Sequence, residues 1–425
     1  MNTKSQAILL IVSALALVGL GCRNQGGDTG SQLGGQPLVV WGLWQESAWL
    51  DPVTSAFEDQ TGVKVEYRKI ASVATYERML LEALAEGRGP DVFVIHHTWV
   101  EGKRGIMSPA PTDIISQRQL IDEFVPVVND DVVRDGLVYA LPTSVDTLAL
   151  YYNQDLLASA GIAQPPSTWT QFQRDVEKIT QVSRLGIIEQ SAAALGTAAN
   201  VNRAPDVLQL LMLQSGISLL DDQGRSDIAA DTIGERALTF YTDFSNKSKQ
   251  VYTWDLSQDY SIDAFAEGET AMMLNYSYHI PTIKAKNSRL RFNVAGTPQI
   301  ADSGTSSKSF ANYWPFAVSN SSRSPQTAWQ FVRFMTSAPM STAINQQQMS
   351  PPARRDTVAA VQADPQLGVY ADQALTAVSW PRVDIIATDA IFNSMIDDVA
   401  TGTANIQDAI RKAKDQIEQL SDNTI

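Results

Sequence analysis

The sequence predicts an α/β fold that contains a parallel sheet close to the start of the globular region. Three short apolar segments, at 38–41, 63–67 and 91–95, alternate with two segments in which apolar residues recur at helical spacing. Gly62 and Gly89 lie just after the helical segments, where they can end a helix and begin the next strand. This β-α-β-α-β order with short turns is typical of a parallel sheet with helices on its faces.

The three strands differ in their expected burial. Segment 38–41 is apolar throughout, as is typical of a strand covered on both faces, whereas segment 63–67 alternates apolar and polar residues and predicts a half-buried strand. Because ligands of such sheets bind beyond the carboxyl ends of the strands, the loops at 42–46 and 96–99 are the expected ligand-binding loops.

The remainder of the chain continues the mixture of strands and helices. Strands are predicted at 148–153, 271–275 and 313–318 from apolar runs. Helices are predicted from apolar spacing and end signals at 169–181, 205–215, 231–245, 259–266, 325–335 and 406–420. No internal repeat is present after residue 36, so a repeat architecture is not expected.

Composition excludes several functional classes. The chain has 425 residues and a formal charge of −14, so it would repel a phosphate backbone and no nucleic-acid partner is expected. Apolar residues make up 44%, which is enough for large cores and excludes general disorder. One cysteine and three histidines exclude a disulfide framework and a thiolate zinc site, and no cofactor is expected.

The N-terminus predicts export and lipidation. Lys4 precedes an apolar run at 7–20 that is short for a transmembrane helix but suits a signal peptide. The one cysteine, Cys22, follows this run as in a bacterial lipobox, although Gly19 replaces the usual leucine. We therefore predict a signal peptide at 1–21, an acylated Cys22, a flexible Gly-rich tether at 22–36, and a protein held on the outer face of the cell membrane. The alternative is an ordinary signal peptide with a buried free thiol.

Catalytic signatures are missing from the sequence. It contains no P-loop, zincin, nucleophile-elbow or C-x-x-C pattern. In an extended segment, His96 and His97 would point to opposite faces and could not share a metal ion. No enzyme activity and no metal site are therefore expected.

Aromatic residues instead indicate a binding site. Trp44, Trp99, Tyr278 and Trp314 lie where the predicted sheet would form a cleft. A flat ring suits the C–H face of a pyranose, and nearby amides and carboxylates can bind the sugar hydroxyls. The alternative for each ring is an ordinary place in the core.

Five segments together resemble the bacterial extracellular solute-binding proteins of ABC transporters, in the family that includes the maltose-binding protein. They are Val40-Trp41-Gly42 with Thr61-Gly62-Val63, Gly89-Pro90-Asp91-Val92, Leu150-Tyr151-Tyr152-Asn153, Phe265-Ala266-Glu267-Gly268 with Ala271-Met272, and Ala328-Trp329-Gln330-Phe331. The resemblance covers about 38–420 and implies a type II periplasmic-binding-protein fold, in which two α/β lobes are joined by a multi-strand hinge. It implies an N-terminal lobe at 37–148 plus 316–345 and a C-terminal lobe at 149–315 plus 346–425.

The same resemblance implies a set of ligand-binding positions. They are Trp44, Gln45 and Glu46 after the first strand; His97, Thr98 and Trp99 after the third; Asp146 before the first crossing between lobes; Asn275 and Tyr278 at and after the strand 271–275; and Trp314 and Trp380. His97, Thr98 and Trp99 correspond to a loop where maltose binders have an acid and an arginine, so the polar contacts differ here, and the resemblance implies a mono- or oligosaccharide whose identity it does not specify.

The function implied by the resemblance is capture of a carbohydrate between the lobes and its delivery to the permease subunits of an ABC importer. The protein would act as a monomer. Two alternatives remain open, namely a sensory or adhesive lipoprotein that uses the same trap without a permease, and a secreted glycan hydrolase.

Overall fold

The computed structural model describes residues 36–217, 225–229, 232–301, 307–382 and 384–422. The predicted signal peptide, Cys22 and all of the tether except Gln36 lie outside the described residues. Within the described ranges, no helix combines the length and the apolar character that a bilayer crossing requires.

The predicted β-α-β-α-β unit is confirmed. Strand Leu38–Leu43 pairs in parallel with Val65–Ile70 on one side and with Val92–Val94 on the other. Helices Asp51–Thr61 and Val73–Ala85 connect these strands. Gly62 ends the first helix with a left-handed φ of 73°, which glycine adopts without steric cost.

A strand from far along the chain completes this first sheet. Phe316–Ser319 lies antiparallel to Val92–Val94 and also pairs with the short strands Met107–Ser108 and Ala140–Leu141. The single strand predicted at 313–318 is wrong in its bounds, because the structure has two strands, Ser309–Asn312 and Phe316–Ser319. The break between them contains Pro315, which has no N–H to donate to a sheet.

A second sheet of mixed direction is built from the middle of the chain. Thr270–Asn275 lies at its centre, antiparallel to Ala149–Asn153 and parallel to Ile188–Ala193. Phe292–Ala295 and Gln181–Val182 are its edges. The predicted strands at 148–153 and 271–275 are therefore confirmed.

A small third sheet joins the two halves. Asp146–Thr147 pairs antiparallel with Ser309–Asn312, which pairs in parallel with Ala377–Val378. The buried side chains form two clusters, a first core drawn mainly from 38–145 and 311–377 and a second core drawn mainly from 148–310 and 380–417. The third sheet therefore lies where the chain passes between the cores, and the lobe boundaries given above remain a prediction.

The other elements surround these sheets. The β-hairpin is formed by Val133–Arg134 and Leu137–Val138, and 3₁₀ turns lie at Ser47–Trp49, His97–Trp99 and Arg104–Ile106. The remaining helices are Val100–Lys103, Gln117–Glu123, Pro126–Val132, Gln154–Ser159, Trp169–Ile179, Ala204–Gln214, Thr232–Asp243, Ser261–Glu267, His279–Lys286, Pro325–Met335, Ala338–Gln348, Arg355–Val361, Leu367–Ala374, Ile385–Ala400 and Ile406–Asp422.

Candidate functional site

A cavity of about 470 Å³ lies beside the small connecting sheet. It is lined by side chains of the first core, by residues of the connecting strands, and by Arg203, Ser277 and Tyr278 from the part of the chain that builds the second core. Five of the predicted ligand-binding residues are in its wall, namely Trp44, Gln45, Asp146, Tyr278 and Trp314. The structure therefore brings together residues that are as much as 270 positions apart in the sequence.

The first side of the cavity is the loop after strand Leu38–Leu43. Tyr67 packs directly over Gly42, where any Cβ would overlap its ring, and its hydroxyl donates to the Gln45 carbonyl at 3.1 Å. Trp44 adopts a left-handed φ of 59° and leaves 46% of its surface exposed. Glu46 forms an ion pair with Lys69 at the edge of this loop but does not line the cavity. Tyr67 therefore fixes the backbone of this loop, while the Trp44 indole faces solvent.

A group of aromatic rings supports Trp44 from below. The Trp314 ring lies 5.2 Å from Trp44, 5.4 Å from Trp99 and 5.0 Å from His96 between centroids, in edge-to-face arrangements. Such contacts between rings are favourable and hold indoles in fixed orientations. Trp99 is buried in this group, so it supports the cavity wall rather than lining it.

His97 and Thr98 are also buried beneath the wall. Residues 97–99 form a 3₁₀ turn, which brings the His96 and His97 rings within 4.3 Å of each other. The geometry of opposite-facing rings, which requires an extended segment, therefore does not apply here. His97 Nδ1 lies 2.8 Å from Asp131 Oδ2, so His97 belongs to a hydrogen-bonded network in the first core.

Asp131 is the centre of that network. The Tyr313 hydroxyl donates to its Oδ2 at 2.7 Å, and the Ser379 hydroxyl donates to its Oδ1. Burial alone would raise the pKa of Asp131, but His97 and these hydroxyl groups hold it below its usual value. The network joins the loop after the third strand to the segments that follow two of the connecting strands.

Asp146 is the carboxylate of the cavity and belongs to a connecting strand. Its oxygens accept hydrogen bonds from the Thr147 amide at 2.8 Å, the Ser277 amide at 3.0 Å and the Ser277 hydroxyl at 2.7 Å. Burial raises the pKa of Asp146 to about 7, against which these hydrogen bonds act. Asp146 therefore links the connecting sheet to the second-core wall.

The second side of the cavity is the segment after strand Thr270–Asn275. Tyr278 is 46% exposed, and its ring stacks on Tyr276 with centroids 5.7 Å apart. Arg203 donates to the Tyr278 hydroxyl from Nε at 3.1 Å and from Nη2 at 2.7 Å. Burial raises the pKa of Tyr278 to about 12, so the phenol keeps its proton at neutral pH.

Two of the predicted binding residues point into the second core. Asn275 is buried and its Nδ2 donates to Asn202 Oδ1 at 3.0 Å. Trp380 is buried and its Nε1 donates to Gln209 Oε1 at 2.6 Å. Neither lines the cavity.

The structure adds lining residues that the sequence analysis missed. Arg203, Ser277 and Asn312 contribute polar groups, and Gln348 to Ser350 contribute a wall after helix Ala338–Gln348. Arg203 carried a usable signal, because Pro205 marks the start of a helix and a cation just before a helix N-terminus is unfavourable without another role.

The described wall of the cavity is poor in carboxylates. Among the described residues of the wall, Asp146 is the one carboxylate, whereas glycoside hydrolysis ordinarily uses two across the scissile bond. In the described ranges, Asp259, Glu267 and Glu269 form the one group of three acids close enough to share a metal ion, and all three are exposed and outside this wall.

Comparisons with known proteins agree with this architecture. Residues 42–341 match the family described as bacterial extracellular solute-binding protein. The chain is 22% identical to the maltodextrin-binding protein MdxE of Bacillus subtilis, over 96% of this chain and 97% of that protein. It also matches binding proteins of Brucella abortus and Brucella suis at 23% identity, of whose length it spans 59%.

A solved structure shows the same fold. The sugar-binding protein MalE of Xanthomonas citri superposes with a TM-score of 0.76 at 18% sequence identity, over 91% of this chain and 98% of that one. The two-lobe, type II periplasmic-binding-protein fold is therefore established for this sequence. By its match over most of its length, the chain belongs to the bacterial extracellular solute-binding protein family.

Proposed function

We propose that this protein captures a carbohydrate in the cavity between its lobes and delivers it to an ABC importer. The observation that carries the proposal is the pair of exposed rings, Trp44 and Tyr278, which follow strands of two different sheets and line the same cavity as Asp146. Rings on two sides can cover the two apolar faces of a sugar, and the polar groups between them can bind its edges.

The polar groups of the wall match the edges of a saccharide. Gln45 and Asn312 offer amides that can both donate and accept, and the Ser277 hydroxyl can do the same. Sugars present hydroxyl groups that also donate and accept, so each can find a partner. The maltodextrin-binding protein of Bacillus subtilis and the sugar-binding protein of Xanthomonas citri are consistent with this ligand class.

We assign different tasks to the predicted residues. Trp44, Gln45, Asp146, Tyr278 and Trp314 are proposed to contact the ligand directly. The others are proposed to hold this wall in place, either from beneath it or at its edge; they are Glu46, His97, Thr98, Trp99, Asn275 and Trp380.

The mechanism follows from the two-sided cavity. In an open form each lobe carries half of the site, and a ligand that contacts both halves stabilises the closed form. The permease subunits would recognise that closed form. No bond in the ligand is made or broken, and the protein acts without a cofactor.

Lipidation of Cys22 forms part of the proposal. Acyl chains on this residue would hold the protein on the outer face of the cell membrane after removal of residues 1–21. The tether at 22–36 would let a monomeric globule reach its permease. Labelling of cells with a radioactive fatty acid checks this step, and the label should be lost in Cys22→Ala.

Calorimetric titration of the purified protein with a panel of oligosaccharides tests the binding function. We expect at least one saccharide to bind, and expect Trp44→Ala and Tyr278→Ala each to weaken it by about tenfold or more, equivalent to 1.4 kcal/mol. Leu185→Ala is a matched control, since this apolar side chain is 86% exposed and does not line the cavity. Binding that is indifferent to both ring substitutions would contradict the proposed site.

A further inference from the structure

Arg203 is the cation of the cavity wall. Among the described lining residues it is the one Lys or Arg side chain, and 34% of that side chain is exposed. It has a left-handed φ of 63° and directly precedes helix Ala204–Gln214. The helix dipole makes this position unfavourable for a positive charge. Holding a guanidinium at this position therefore costs electrostatic free energy.

The hydrogen-bonding capacity of Arg203 is only partly used. A guanidinium has five N–H donors, and the structure assigns two of them to the Tyr278 hydroxyl. Nη1 lies 3.9 Å from Asp206 Oδ2, which is too far for a hydrogen bond. Within the described part of the chain, the other three donors have no acceptor at hydrogen-bond distance. They remain available to a molecule in the cavity.

Asp206 has other hydrogen-bond and ion-pair partners, and it accepts no hydrogen bond from Arg203. Its Oδ2 accepts the Tyr276 hydroxyl at 2.8 Å, and its Oδ1 lies 3.5 Å from Nη1 of the buried Arg382. Arg382 is itself paired with Asp389 at 2.9 Å. The contact of Asp206 with Arg203 is the longest of these, so the carboxylate is engaged mainly within the second core.

The other charged group of the wall is already satisfied. Both oxygens of Asp146 already accept hydrogen bonds from Thr147 or Ser277, which leaves little of its acceptor capacity for a ligand. The charged group of the wall that still has unused hydrogen-bonding capacity is therefore Arg203, which is a positively charged donor.

Two histidines near Arg203 add no second positive charge. Burial lowers the pKa of His279 to about 4, and the positive charge of Arg203 acts in the same direction. Burial and the neighbouring cations, Arg203 among them, also hold the pKa of His96 well below its ordinary value. Both rings are neutral at pH 7, and the nearby acids whose charges raise the pKa of Arg203 are Asp206 and Asp389 in the second core.

Building on the proposed function, we propose that the captured saccharide carries a carboxylate, as in a uronic acid, and that this group pairs with Arg203. A guanidinium binds a carboxylate with two parallel hydrogen bonds, which a neutral sugar cannot match in charge. The hydroxyl groups of a neutral sugar can accept from the guanidinium, but they bring no negative charge to a cation that closure would bury, and an unpaired buried charge is costly. Arg203 would thus determine specificity.

The test is calorimetric titration of the purified protein with acidic oligosaccharides built from galacturonate, glucuronate or mannuronate. Each is compared with its carboxyl-reduced counterpart, which has the same skeleton without the charge. We expect an acidic member to bind about 10–100-fold more tightly than its reduced form. Arg203→Gln should remove that preference, and Arg203→Lys should keep part of it because the point charge remains.

Two further variants separate a specific contact from a general effect. Tyr278→Phe keeps the ring but removes the hydroxyl that accepts hydrogen bonds from the guanidinium, so the ratio of acidic to reduced-sugar affinity should shrink. Arg118→Gln changes the net charge equally at a side chain that is 92% exposed outside the cavity, and should have no effect. Thermal unfolding of each variant verifies that it folds.

The outcomes are distinct. If reduced or other neutral saccharides bind as tightly as the acidic ones, or if Arg203→Gln weakens both alike, the carboxylate proposal is overturned and the carbohydrate function stands. If no saccharide of either kind binds to the folded protein, both proposals are overturned.

Discussion

Asp146 shows how burial can favour the neutral form of a carboxyl group. In its protonated form, Oδ2 can donate to the Ser277 hydroxyl, while Oδ1 accepts the Thr147 and Ser277 amides. An asparagine can make the same set of bonds, with its amide nitrogen in place of the protonated oxygen. Burial therefore favours the neutral side chain, and the neutral side chain can keep these hydrogen bonds.

The pH dependence of stability should report this preference. Because the pKa of Asp146 is raised from 3.8 to about 7, the folded state holds a proton that the unfolded state releases between these values. Stability is thus present at low pH and lost as pH rises towards 7. Between pH 5 and 8 we expect the free energy of unfolding to fall by about 2–3 kcal/mol in the native protein relative to Asp146→Asn.

Urea unfolding of both proteins across this pH range measures the difference. Comparison with the variant cancels the titration of all other groups that behave alike in both. A gap that stays constant between pH 5 and 8 would show that Asp146 is ionised throughout in the folded state, and a gap that changes with the opposite sign would also contradict the raised pKa.

Individual site residues were only partly predictable from sequence. Trp44 and Tyr278 follow strand ends and are exposed, as expected. Trp99 also follows a strand end, yet the Trp314 ring packs against it. His97 is hydrogen-bonded to Asp131, which lies 34 residues away in the sequence. Such burial depends on partners distant in the chain, so local pattern cannot distinguish a ring that lines a cavity from a ring that supports it.

At the scale of an element, the close approach of strands Leu38–Leu43 and Val65–Ile70 prepares the binding loop. Tyr67 lies across Gly42 and donates to the Gln45 carbonyl, so it fixes the backbone on which Trp44 is carried. Space for that ring exists only because residue 42 has no side chain. The glycine is thus required by packing, not by its backbone angles.

Gly42→Ala should therefore affect both stability and binding. The added methyl group must displace the Tyr67 ring, at a cost of about 1–3 kcal/mol in the free energy of unfolding. The displaced ring also loses its bond to Gln45, so saccharide affinity should fall. Chemical unfolding and calorimetric titration measure the two effects.

A double-mutant cycle provides the control. Tyr67→Leu removes the clash, so Gly42→Ala should cost much less stability in that background than in the native one. Equal costs in both backgrounds would mean that the Tyr67 ring is not what excludes a side chain at position 42.

The elements themselves were predicted best where the pattern was local. The strand at 38–41 and the helices near 205–215 and 406–420 were recognised from apolar spacing, and the structure confirms them with small changes in bounds. The direction and position of Phe316–Ser319 were not predictable in this way, because its partners lie more than 170 residues earlier in the chain.

At the scale of the whole molecule, the two cores are connected by three short strands that do not themselves form a large core. Such a joint permits the lobes to rotate while each keeps its packing. We therefore expect a bound saccharide to shift the population towards a closed form with a smaller radius of gyration.

Small-angle X-ray scattering with and without the saccharide identified by titration measures this change. Trp44→Ala is the matched control, since it should need a higher ligand concentration to produce the same compaction. A radius of gyration that stays constant at saturating ligand would contradict closure, although not binding.

The position of strand Phe316–Ser319 also has a consequence for biogenesis. It pairs with both Val92–Val94 and Met107–Ser108 and lies between them in the sheet. These two strands precede it by more than 200 residues, so they are exported before it. Until it emerges, the N-terminal half presents an unpaired sheet edge and an incomplete apolar surface. Newly exported chains should therefore depend on chaperones during a slow final folding step, and truncation before residue 316 should yield a fragment that aggregates.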